Sequence, residues 1–475
     1  MRDEMIIDVS GAVDNQPIRR VSMLVFALCF VAMLSEGYDL GVVGYAAPGI
    51  LKGFGIVRAQ MAPIFSMALL GMLVGALVAG IVGDRFGRKK GVLISCAVIA
   101  LASLACAEAP TIGALFWCRF AVGVGLGGLL PNITALMAEF LPKKVRGAFT
   151  TYAFMGITFG GIIPGLFTGM LKEEEWRDLF LIGGLIPLIA LPILMLFLPE
   201  SLKFLAVRGK RPDKIRLWLN RIDPGIVIPP DARFVINEPP VEGGRFAPLF
   251  SGKLKVITPL LWGCFIAIML VNFFINSWMN VVLRDIGFSH AESAHTSSLY
   301  YVGGVIGGLI IGFALDRIGA IVLAVTTAAG AVVIALLGSF HDSHAVVDLL
   351  MLLTGFAVLG SQVGMSSLAG MLYQTAVRSK GSGTAHAIGR IGAIGGPLIA
   401  GALIARNASV ATLFSVPVIP MLVAAACFFL ITWKWTGRAW GVGFSAMHAR
   451  QTLEEADRTR IAALSGSAPM APLAK

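Results

Sequence analysis

Charged residues are scarce in this chain. Asp, Glu, Lys and Arg make up 14% of its 475 residues, whereas hydrophobic residues make up 57%. Soluble domains carry about 25% charged residues, so the composition excludes an ordinary water-soluble domain. Together with a mean hydropathy of +0.83, it indicates an integral membrane protein.

Cysteine is also rare, and its distribution excludes two further classes of site. The six cysteines all lie within apolar runs, at Cys29, Cys96, Cys106, Cys118, Cys264 and Cys427. None has the spacing of a metal site or of a disulfide framework. We expect them to be small buried hydrophobic residues.

Signatures of common enzyme sites are missing. The sequence contains no G-x-x-x-x-G-K-[ST] and no H-E-x-x-H motif. Gly123 to Gly128 match G-x-G-x-x-G by letter, but they lie inside an apolar helix and not between a strand and a helix, as a dinucleotide site requires. We therefore expect no enzyme, no bound metal and no organic cofactor.

The formal net charge is +11, which would suit a nucleic-acid partner in a soluble protein. In a membrane protein, basic residues instead collect in cytoplasmic loops. With the N-terminus inside, the inner loops hold ten basic residues: Arg85, Arg88, Lys89, Lys90, Lys143, Lys144, Arg146, Arg317, Arg378 and Lys380. The outer loops hold six: Lys52, Arg58, Lys172, Arg177, Arg284 and Arg406. This asymmetry predicts cytoplasmic termini and no nucleic-acid partner.

Twelve apolar stretches approach or exceed the about 20 residues that a membrane-spanning helix needs. They are Val21–Ala47, Gln60–Val82, Gly91–Ala107, Thr111–Phe140, Gly147–Met170, Leu179–Leu198, Val256–Val282, Thr296–Leu315, Ala320–Phe340, Val347–Tyr373, Thr384–Ala405 and Val410–Trp433. The polar interval between the sixth and seventh divides the chain into an N-terminal bundle (1–198), a cytoplasmic linker with short amphipathic helices (199–255), a C-terminal bundle (256–433) and a cytoplasmic tail (434–475).

One short motif occurs once in each half. G-x-x-x-D-R-x-G follows the second span, from Gly80 to Gly87, and again the eighth span, from Gly312 to Gly319. The same turn at the same place in both halves indicates a duplicated six-helix unit. Duplicated halves with a site near the bilayer midplane are typical of secondary transporters.

The first copy, GDRFGRKK, resembles the loop-two signature of the major facilitator superfamily. The resemblance implies an all-α membrane fold, with twelve helices in two pseudo-symmetric six-helix bundles. We interpret the turn as a gate in which glycines let helices approach and Asp84 lies near a neighbouring helix N-terminus. The resemblance also implies a cytoplasmic charge network that fastens the halves in one state. The gating candidates are Gly80, Asp84, Arg85, Gly87, Arg88, Glu139, Arg146, Glu200, Asp316, Arg317 and Arg378.

Two acids interrupt the first span. Glu36 and Asp39 in LSEGYDLGVVG are three residues apart, so they share one helix face. A buried carboxyl group resists ionisation, and a second one nearby adds to that resistance. Such a group can carry a proton, and we expect Asp39, aided by Glu36, to be the site of proton coupling.

Two arginines also lie within apolar spans. Arg119 lies in the fourth span and Arg390 in the eleventh, where it shares a helix face with His386. An ionisable residue inside a membrane indicates a functional site. Arg119 is the first candidate to hold a substrate carboxylate and Arg390 the alternative, because a guanidinium fork matches a carboxylate.

Three motifs are together similar to the aromatic acid:proton symporters of this superfamily. They are E-G-Y-D in the first span, R-x-x-x-G-x-G-x-G-G-x-x-P-N in the fourth, and G-R-x-G-A-I-x-G-P in the eleventh, where Ala387 stands in place of the glycine of the family's G-x-G-R. Glu36 and the segment Thr384 to Ala387 depart from that pattern. The resemblance implies a cavity for a planar acid, with the further candidate lining residues Tyr38, Asn272, Asn276, Trp278, Tyr301 and His386, and it implies the proton as the coupling ion.

The residues leave three functions open. The first is proton-coupled uptake of an aromatic carboxylate of the benzoate, hydroxybenzoate or phenylpropionate type, with a role in aromatic catabolism. The second is symport of another organic anion, or efflux by antiport. The third is a transporter-like receptor that binds the acid without moving it. In each case we expect a monomer in the bacterial inner membrane.

Overall fold

A computed structural model describes residues 6–14, 16–209, 211–226, 228–229, 232–236, 246–340, 343–373 and 375–436. Within these residues the α-helices follow in the order α1 (Val9–Asp14), α2 (Arg20–Phe54), α3 (Met61–Phe86), α4 (Arg88–Ala107), α5 (Ile112–Phe140), α6 (Arg146–Thr168), α7 (Trp176–Phe197), α8 (Leu202–Val207), α9 (Pro212–Ile222), α10 (Leu254–Asp285), α11 (His290–Ile318), α12 (Ile321–Ser339), α13 (His344–Leu372), α14 (Thr375–Ala405), α15 (Val410–Ser415) and α16 (Val418–Thr436). Strands β1 (Ile6–Asp8) and β2 (Arg233–Val235) form a small parallel pair. Short 3-10 helices lie at Arg58–Gln60, Glu173–Glu175 and Ala247–Phe250.

The described chain has twelve helices that are long and apolar enough to cross a membrane, as the hydropathy of the sequence predicted. The helices extend beyond the predicted spans at several ends; α2, for example, continues to Phe54, where Gly55 at φ 61° ends it. The last predicted span is interrupted. Pro417 has no backbone N–H to donate, and α15 ends at Ser415 before α16 begins at Val418. Most of the predicted tail lies outside the described residues.

The two halves repeat the same packing. In the first half α2 packs on α6, α3 on α5, and α4 on α7; in the second half α10 packs on α14, α11 on α13, and α12 on α16. These are the same three pairs when the helices of each half are numbered from one to six. The predicted fold class of two pseudo-symmetric six-helix bundles is therefore confirmed. The halves meet along α2 with α10, α3 with α14, and α6 with α11.

The polar linker packs at one end of the bundles, which we call the linker end; the other is the far end. As predicted, the linker contains short amphipathic helices, and α9 buries Ile215, Leu219 and Ile222 on one face. The sequence did not predict that β1 from the N-terminus pairs with β2 of the linker. Strands of three residues are too short to show a recognisable alternation of apolar and polar residues in the sequence.

Candidate functional site

Asp39 and Arg119 form a buried pair inside the N-terminal half. Asp39 is 0% exposed and Arg119 2% exposed. Arg119 Nη2 donates to the backbone oxygen of Asp39 at 3.0 Å, while its Nη1 lies 3.8 Å from Asp39 Oδ1. Ser103 Oγ of α4 donates to the same Oδ1 at 2.8 Å. Two elements besides α2 therefore hold the Asp39 carboxyl group.

The Asp39–Arg119 pair is nevertheless incompletely satisfied. Among the described residues, Asp39 Oδ2, Arg119 Nε and Arg119 Nη1 have no hydrogen-bond partner. Arg119 borders a small cavity that Ala68 and Leu69 of α3 and Phe273 of α10 also line, so the cavity lies between the halves. Buried polar atoms without partners are costly. The free oxygen can take a proton, and the free guanidinium atoms can take an anion.

Glu36 of α2 and Arg390 of α14 are a second acid and arginine near each other, one from each half, although no ion pair within 4.0 Å joins them among the described residues. Glu36 is 1% exposed, and its Oε2 has no hydrogen-bond partner among the described residues. Arg390 is partly buried and its Nη1 donates to the sulfur of Met72 at 3.1 Å. A thioether is a weak acceptor, so this guanidinium has donors to offer a ligand.

The two pairs follow one another along the axis of the bundle. Glu36 and Asp39 are three residues apart on α2, which is a rise of about 4.5 Å along the helix axis. On α3, Met72 contacts Arg390, whereas Leu69 lies one turn away beside the cavity of Arg119. The structure therefore brings the four predicted charged residues together as two rungs: Glu36 with Arg390 toward the linker end, and Asp39 with Arg119 toward the far end.

The predicted residue Asn272 belongs to a polar cluster in the C-terminal half. Tyr300 donates to Asn272 Oδ1 at 2.8 Å, and Asn272 Nδ2 donates to Gln362 Oε1 at 2.9 Å. The sequence analysis did not single out Gln362. An amide inside the apolar α13 is the signal that identifies it, because polar side chains within a span are costly there.

Asn276 and Tyr301 lie where the two halves touch. Tyr301 donates to Asn276 Oδ1 at 2.8 Å, and Asn276 Nδ2 lies 3.5 Å from the Leu40 backbone oxygen in the other half. A Cβ atom at Gly161 would come within 2.0 Å of the Tyr301 ring. Glycine at that position is what lets the ring of one half pack against the backbone of the other.

Tyr38 and Trp278 have their polar atoms occupied. The Tyr38 hydroxyl donates to the Leu179 backbone oxygen at 2.8 Å, and Trp278 Nε1 donates to the Pro397 backbone oxygen at 3.0 Å. Both side chains are buried, at 0% and 1% exposure. In this conformation they present no polar atom to a ligand, so a lining role would be limited to ring contacts.

His386 lies on α14, about one turn before Arg390. Its Nδ1 lies 2.9 Å from the Ser382 backbone oxygen and its Nε2 lies 3.2 Å from Ser366 Oγ. The imidazole meets the ring of Phe265 edge to face, with ring centres 4.7 Å apart. Ser366 is one of three serines in α13, and Ser103 is one of two in α4, so no sequence pattern would have singled out either of them.

The turn after α3 differs in one respect from the prediction. Gly87 has φ 105°, which favours glycine, and the matching Gly319 has φ 85°. Asp84 pairs with Arg88 in its own turn. The N-terminus of α4 is instead occupied by Glu200, whose Oε1 accepts from Lys89 N at 3.0 Å. The linker reaches this helix end and Asp84 does not, because the Asp84 side chain points to the exposed surface.

Gly80 does not have the predicted packing role in this conformation. A Cβ atom at Gly80, or at the equivalent Gly312, would meet nothing within 4 Å. No helix in the part of the chain that the structure describes approaches closely enough at these positions for glycine to be required. The two copies of the motif agree in this respect, as they do in their positive φ angles.

Two further members of the predicted charge network, Glu139 and Arg146, contact the linker and the N-terminal segment. Glu139 Oε2 accepts from Ser201 Oγ at 2.6 Å and from Lys203 N at 3.1 Å. Arg146 pairs with Asp14 of the N-terminal segment. These contacts attach the linker and N-terminus to the first half, and they do not bridge the two halves as the resemblance implied.

Three other gating candidates lie at the surface of the linker end. Arg85 and Arg317 are exposed, and each guanidinium lies over a phenylalanine ring of its own turn, at 5.7 and 4.2 Å. Asp316 is also exposed. The side chain of Arg378 lies outside the described residues.

At the far end, ion pairs connect the two halves directly. Arg58 Nη2 lies 2.5 Å from Asp285 Oδ1, and Arg284 Nη2 lies 2.9 Å from Glu173 Oε2. Each pair joins a loop of the first half to the end of α10. These residues also line a cavity of about 800 Å³. Two partly exposed ion pairs therefore connect the halves at the far end in this conformation.

Comparisons with known proteins agree with this architecture. Residues 24–281 match the family model described as sugar (and other) transporter, and residues 261–454 match that of the major facilitator superfamily. The chain is 34% identical to the 4-hydroxybenzoate transporter PcaK of Acinetobacter baylyi, over 89% of this chain and 94% of that protein. It is 34% identical to the gallate transporter of Pseudomonas putida, over 88% and 94%. It is 31% identical to the 3-(3-hydroxy-phenyl)propionate transporter of Escherichia coli, over 86% and 94%.

Solved structures share the fold at low sequence identity. A bacterial homologue of the human lysosomal transporter Spinster, in an inward-facing and occupied conformation, has a TM-score of 0.67 and 15% identity, over 89% of this chain and 99% of that one. The proton:xylose symporter XylE has a TM-score of 0.62 and 17% identity, over 90% and 98%. The fold, the family models and the relatives agree: this chain belongs to the major facilitator superfamily, whose members are membrane transporters and not enzymes.

Proposed function

We propose that the chain imports an aromatic carboxylate together with a proton across the bacterial inner membrane. The observation that carries this proposal is the pair of acid–arginine rungs at the contact between the halves. The names of the relatives support the substrate class, since they are a 4-hydroxybenzoate, a gallate and a hydroxyphenylpropionate transporter. Two cations provide anchors for a carboxylate, and two buried acids provide sites for a proton.

The charges of the two rungs couple binding of the substrate anion to binding of the proton. A substrate carboxylate at Arg390 takes over the guanidinium that Glu36 faces, which favours the protonated form of Glu36. A proton on the free Oδ2 of Asp39 likewise releases the Arg119 guanidinium from its ion pair. Each anion therefore binds together with a proton. An anion moving inward works against about 2.3 kcal/mol per 100 mV of membrane potential, and one accompanying proton cancels that term.

The two arginines serve at different stages of the cycle. Arg390 is partly exposed, and among the described residues its guanidinium donates to the weak acceptor Met72, so in this proposal it is the anchor that a substrate reaches in this conformation. Arg119 is 2% exposed. It becomes accessible when the ion pairs at that end separate.

The linker end faces the cytoplasm in this proposal. The basic loops after α3 and α11 and the linker lie there, in agreement with the rule that positive residues stay inside. The D-R-x-G turns at that end control the exchange between conformations, and residues 1–198 and 256–433 move as the two bodies. Both rungs are formed within one chain, so a monomer is sufficient for transport.

Uptake into proteoliposomes tests this proposal. Labelled 4-hydroxybenzoate is added outside vesicles with an imposed pH gradient, acidic outside. The proposal predicts accumulation above the equilibrium level, and loss of it with a protonophore. Accumulation only with the reversed gradient would indicate an antiporter. Saturable binding without any movement would indicate a receptor. A non-aromatic organic anion that outcompetes every aromatic acid would change the substrate class.

A further inference from the structure

We propose that Asn132 is a second acceptor for the Arg88 guanidinium, so that Arg88 exchanges partners between Asp84 and Asn132 when the protein changes conformation. Asn132 is then a positioning residue for the turn between α3 and α4. The inference extends the gating role that is proposed for this turn. Its test needs no substrate, so this inference and the proposed uptake can fail separately.

The Asn132 side chain of α5 fills a slot between two helix ends. A Cβ atom at Gly83, near the end of α3, would lie 2.3 Å from Asn132 Oδ1, and a Cβ atom at Gly91, in the first turn of α4, would lie 2.6 Å from Asn132 Nδ2. Asn132 itself is 0% exposed. The two glycines therefore leave the room that this amide occupies beneath the turn.

One side of the Asn132 amide has a partner and the other does not. Nδ2 donates to the Gly128 backbone oxygen at 2.9 Å. Because a backbone oxygen only accepts, the nitrogen must be the atom that faces it. Among the described residues, Oδ1 has no hydrogen-bond partner. A buried acceptor without a partner costs free energy, so a conformation that supplies a donor to Oδ1 gains stability.

Arg88 is the donor that lies beside this oxygen. Its Nη1 is 2.7 Å from the same Cβ position at Gly83 that Asn132 Oδ1 approaches to 2.3 Å, so the guanidinium and the amide oxygen are neighbours in the slot. Arg88 pairs with Asp84 through its other terminal nitrogen, Nη2, and the Asp84 side chain is 70% exposed. An exposed ion pair stabilises a conformation little. A small movement of the turn therefore exchanges a weak surface contact for a buried hydrogen bond from a charged donor.

Helix α5 connects this slot to the buried Asp39–Arg119 pair. Asn132 and Arg119 both lie on α5, and about 20 Å of helix axis separates them. Pro131 lies inside the helix next to Asn132 and has no N–H to donate to the carbonyl of Gly127. The helix has one hydrogen bond fewer at this point and adjusts more easily there. A movement of α5 at Arg119 therefore reaches the turn through Asn132.

The two partners of Arg88 belong to two conformations. Here Arg88 is paired with Asp84, and two ion pairs join the halves at the far end. The opposite conformation of an alternating-access cycle separates the halves at that end and closes the linker end. Closure presses the turn onto α5, and in that conformation Arg88 donates to Asn132.

The test measures how often the far end opens in the purified full chain. Ser277→Cys places a thiol in the small cavity beside Arg119, where Ser277 is 6% exposed, so a water-soluble thiol reagent labels it when the halves separate. Asn132→Ala removes the acceptor that stabilises the separated conformation. It should slow labelling about tenfold or more, the range of one hydrogen bond to a charged group. Asn132→Asp gives Arg88 a charged acceptor at the same place and should speed labelling. A purely structural Asn132 would not produce opposite shifts.

Thr134→Val is the matched control, because Thr134 is an exposed polar residue of the same helix whose Oγ1 donates to the Leu130 backbone oxygen at 2.7 Å. It should leave the labelling rate unchanged. Labelling of the native cysteines is measured in the chain without Ser277→Cys and subtracted. A monodisperse size-exclusion profile for each variant separates a change of conformation from loss of fold.

A second substitution at Arg88 identifies the partner. Arg88→Gln added to Asn132→Asp should cancel the faster labelling, because the charged donor is gone. If the faster labelling persists, or if Asn132→Ala and Asn132→Asp shift the rate in the same direction, the inference is wrong. Should Asn132→Asp fail to fold, Asn132→Ala with Arg88→Gln decides: the double variant should be labelled no more slowly than Asn132→Ala alone, and additive losses would refute the contact.

Discussion

Replacing Arg390 by lysine keeps the positive charge opposite Glu36 but removes the guanidinium fork. In the wild type, Arg390 Nη1 donates to the sulfur of Met72, which is a weak acceptor. The other donors of this guanidinium can therefore hold a substrate carboxylate at two points. Lysine offers a single charged point. Loss of one hydrogen bond to a charged group costs about 1.5–3 kcal/mol, which is on the order of a 10- to 150-fold increase in the dissociation constant. Calorimetric titration of 4-hydroxybenzoate into the purified wild type and the Arg390→Lys variant measures this change in the dissociation constant.

A matched control comes from an arginine that has no role in the proposed site. Arg177 donates to the backbone oxygens of Ala107 and Ala109 at 2.5 and 2.8 Å, so Arg177→Lys should lower the melting temperature and leave the dissociation constant unchanged. If Arg390→Lys binds 4-hydroxybenzoate normally while Arg119→Lys loses binding, Arg390 is not the anchor of the substrate carboxylate. The buried arginine would then be the anchor in the conformation that binds substrate.

Three further predictions concern the ends of the bundles. Asp84→Asn should sharply slow substrate exchange with binding nearly retained, and lost binding at an unchanged exchange rate would remove its gating role. Arg58→Asp should make the far end more accessible to a water-soluble thiol reagent at an introduced cysteine. Since an exposed pair contributes about 0.2–1 kcal/mol, the shift should be modest, and adding Asp285→Arg should reverse it if the pair acts as a latch. Gly87→Ala should lower the melting temperature at a cost of about 1–3 kcal/mol, because φ is 105° and the new Cβ would lie 2.3 Å from the Glu200 carboxylate; the control Gly80→Ala, with open space around it, should melt like the wild type.

The fold and the charged residues of the site were predictable from sequence for the same physical reason. Only helices and closed barrels satisfy the backbone hydrogen bonds in lipid. The twelve continuous apolar runs are too long for barrel strands, which are about ten residues with alternating hydrophobicity, so they predict membrane helices. Charged residues inside those runs also stand out, because a charge inside the membrane is costly and such residues are usually functional. Glu36, Asp39, Arg119 and Arg390 all stood out for this reason, and the structure places them together.

The contacts between elements were not predictable, because they depend on residues far apart in the chain. Ser103 reaches Asp39 across 64 positions, and Ser366 reaches His386 from another helix. Neither serine has a pattern that marks it. The position of Glu200 at the start of α4 follows from how the linker folds back, and a local reading of the turn assigned that role to Asp84. Local sequence identifies which groups are unusual, whereas packing decides which partner each one meets.

The central claim is that Asp39 carries the coupled proton, and a pH electrode in lightly buffered vesicles tests it most directly. Adding substrate outside should alkalinise the medium for the wild type, because each anion enters with a proton. Asp39→Asn keeps the shape and the hydrogen bond from Ser103 but cannot take a proton on the free oxygen. We predict that it abolishes this alkalinisation and proton-driven accumulation while retaining exchange of labelled for unlabelled substrate, and that Glu36→Gln has a milder effect. If Asp39→Asn alkalinises the medium as the wild type does, Asp39 is a structural partner of Arg119 and the proton travels by another group.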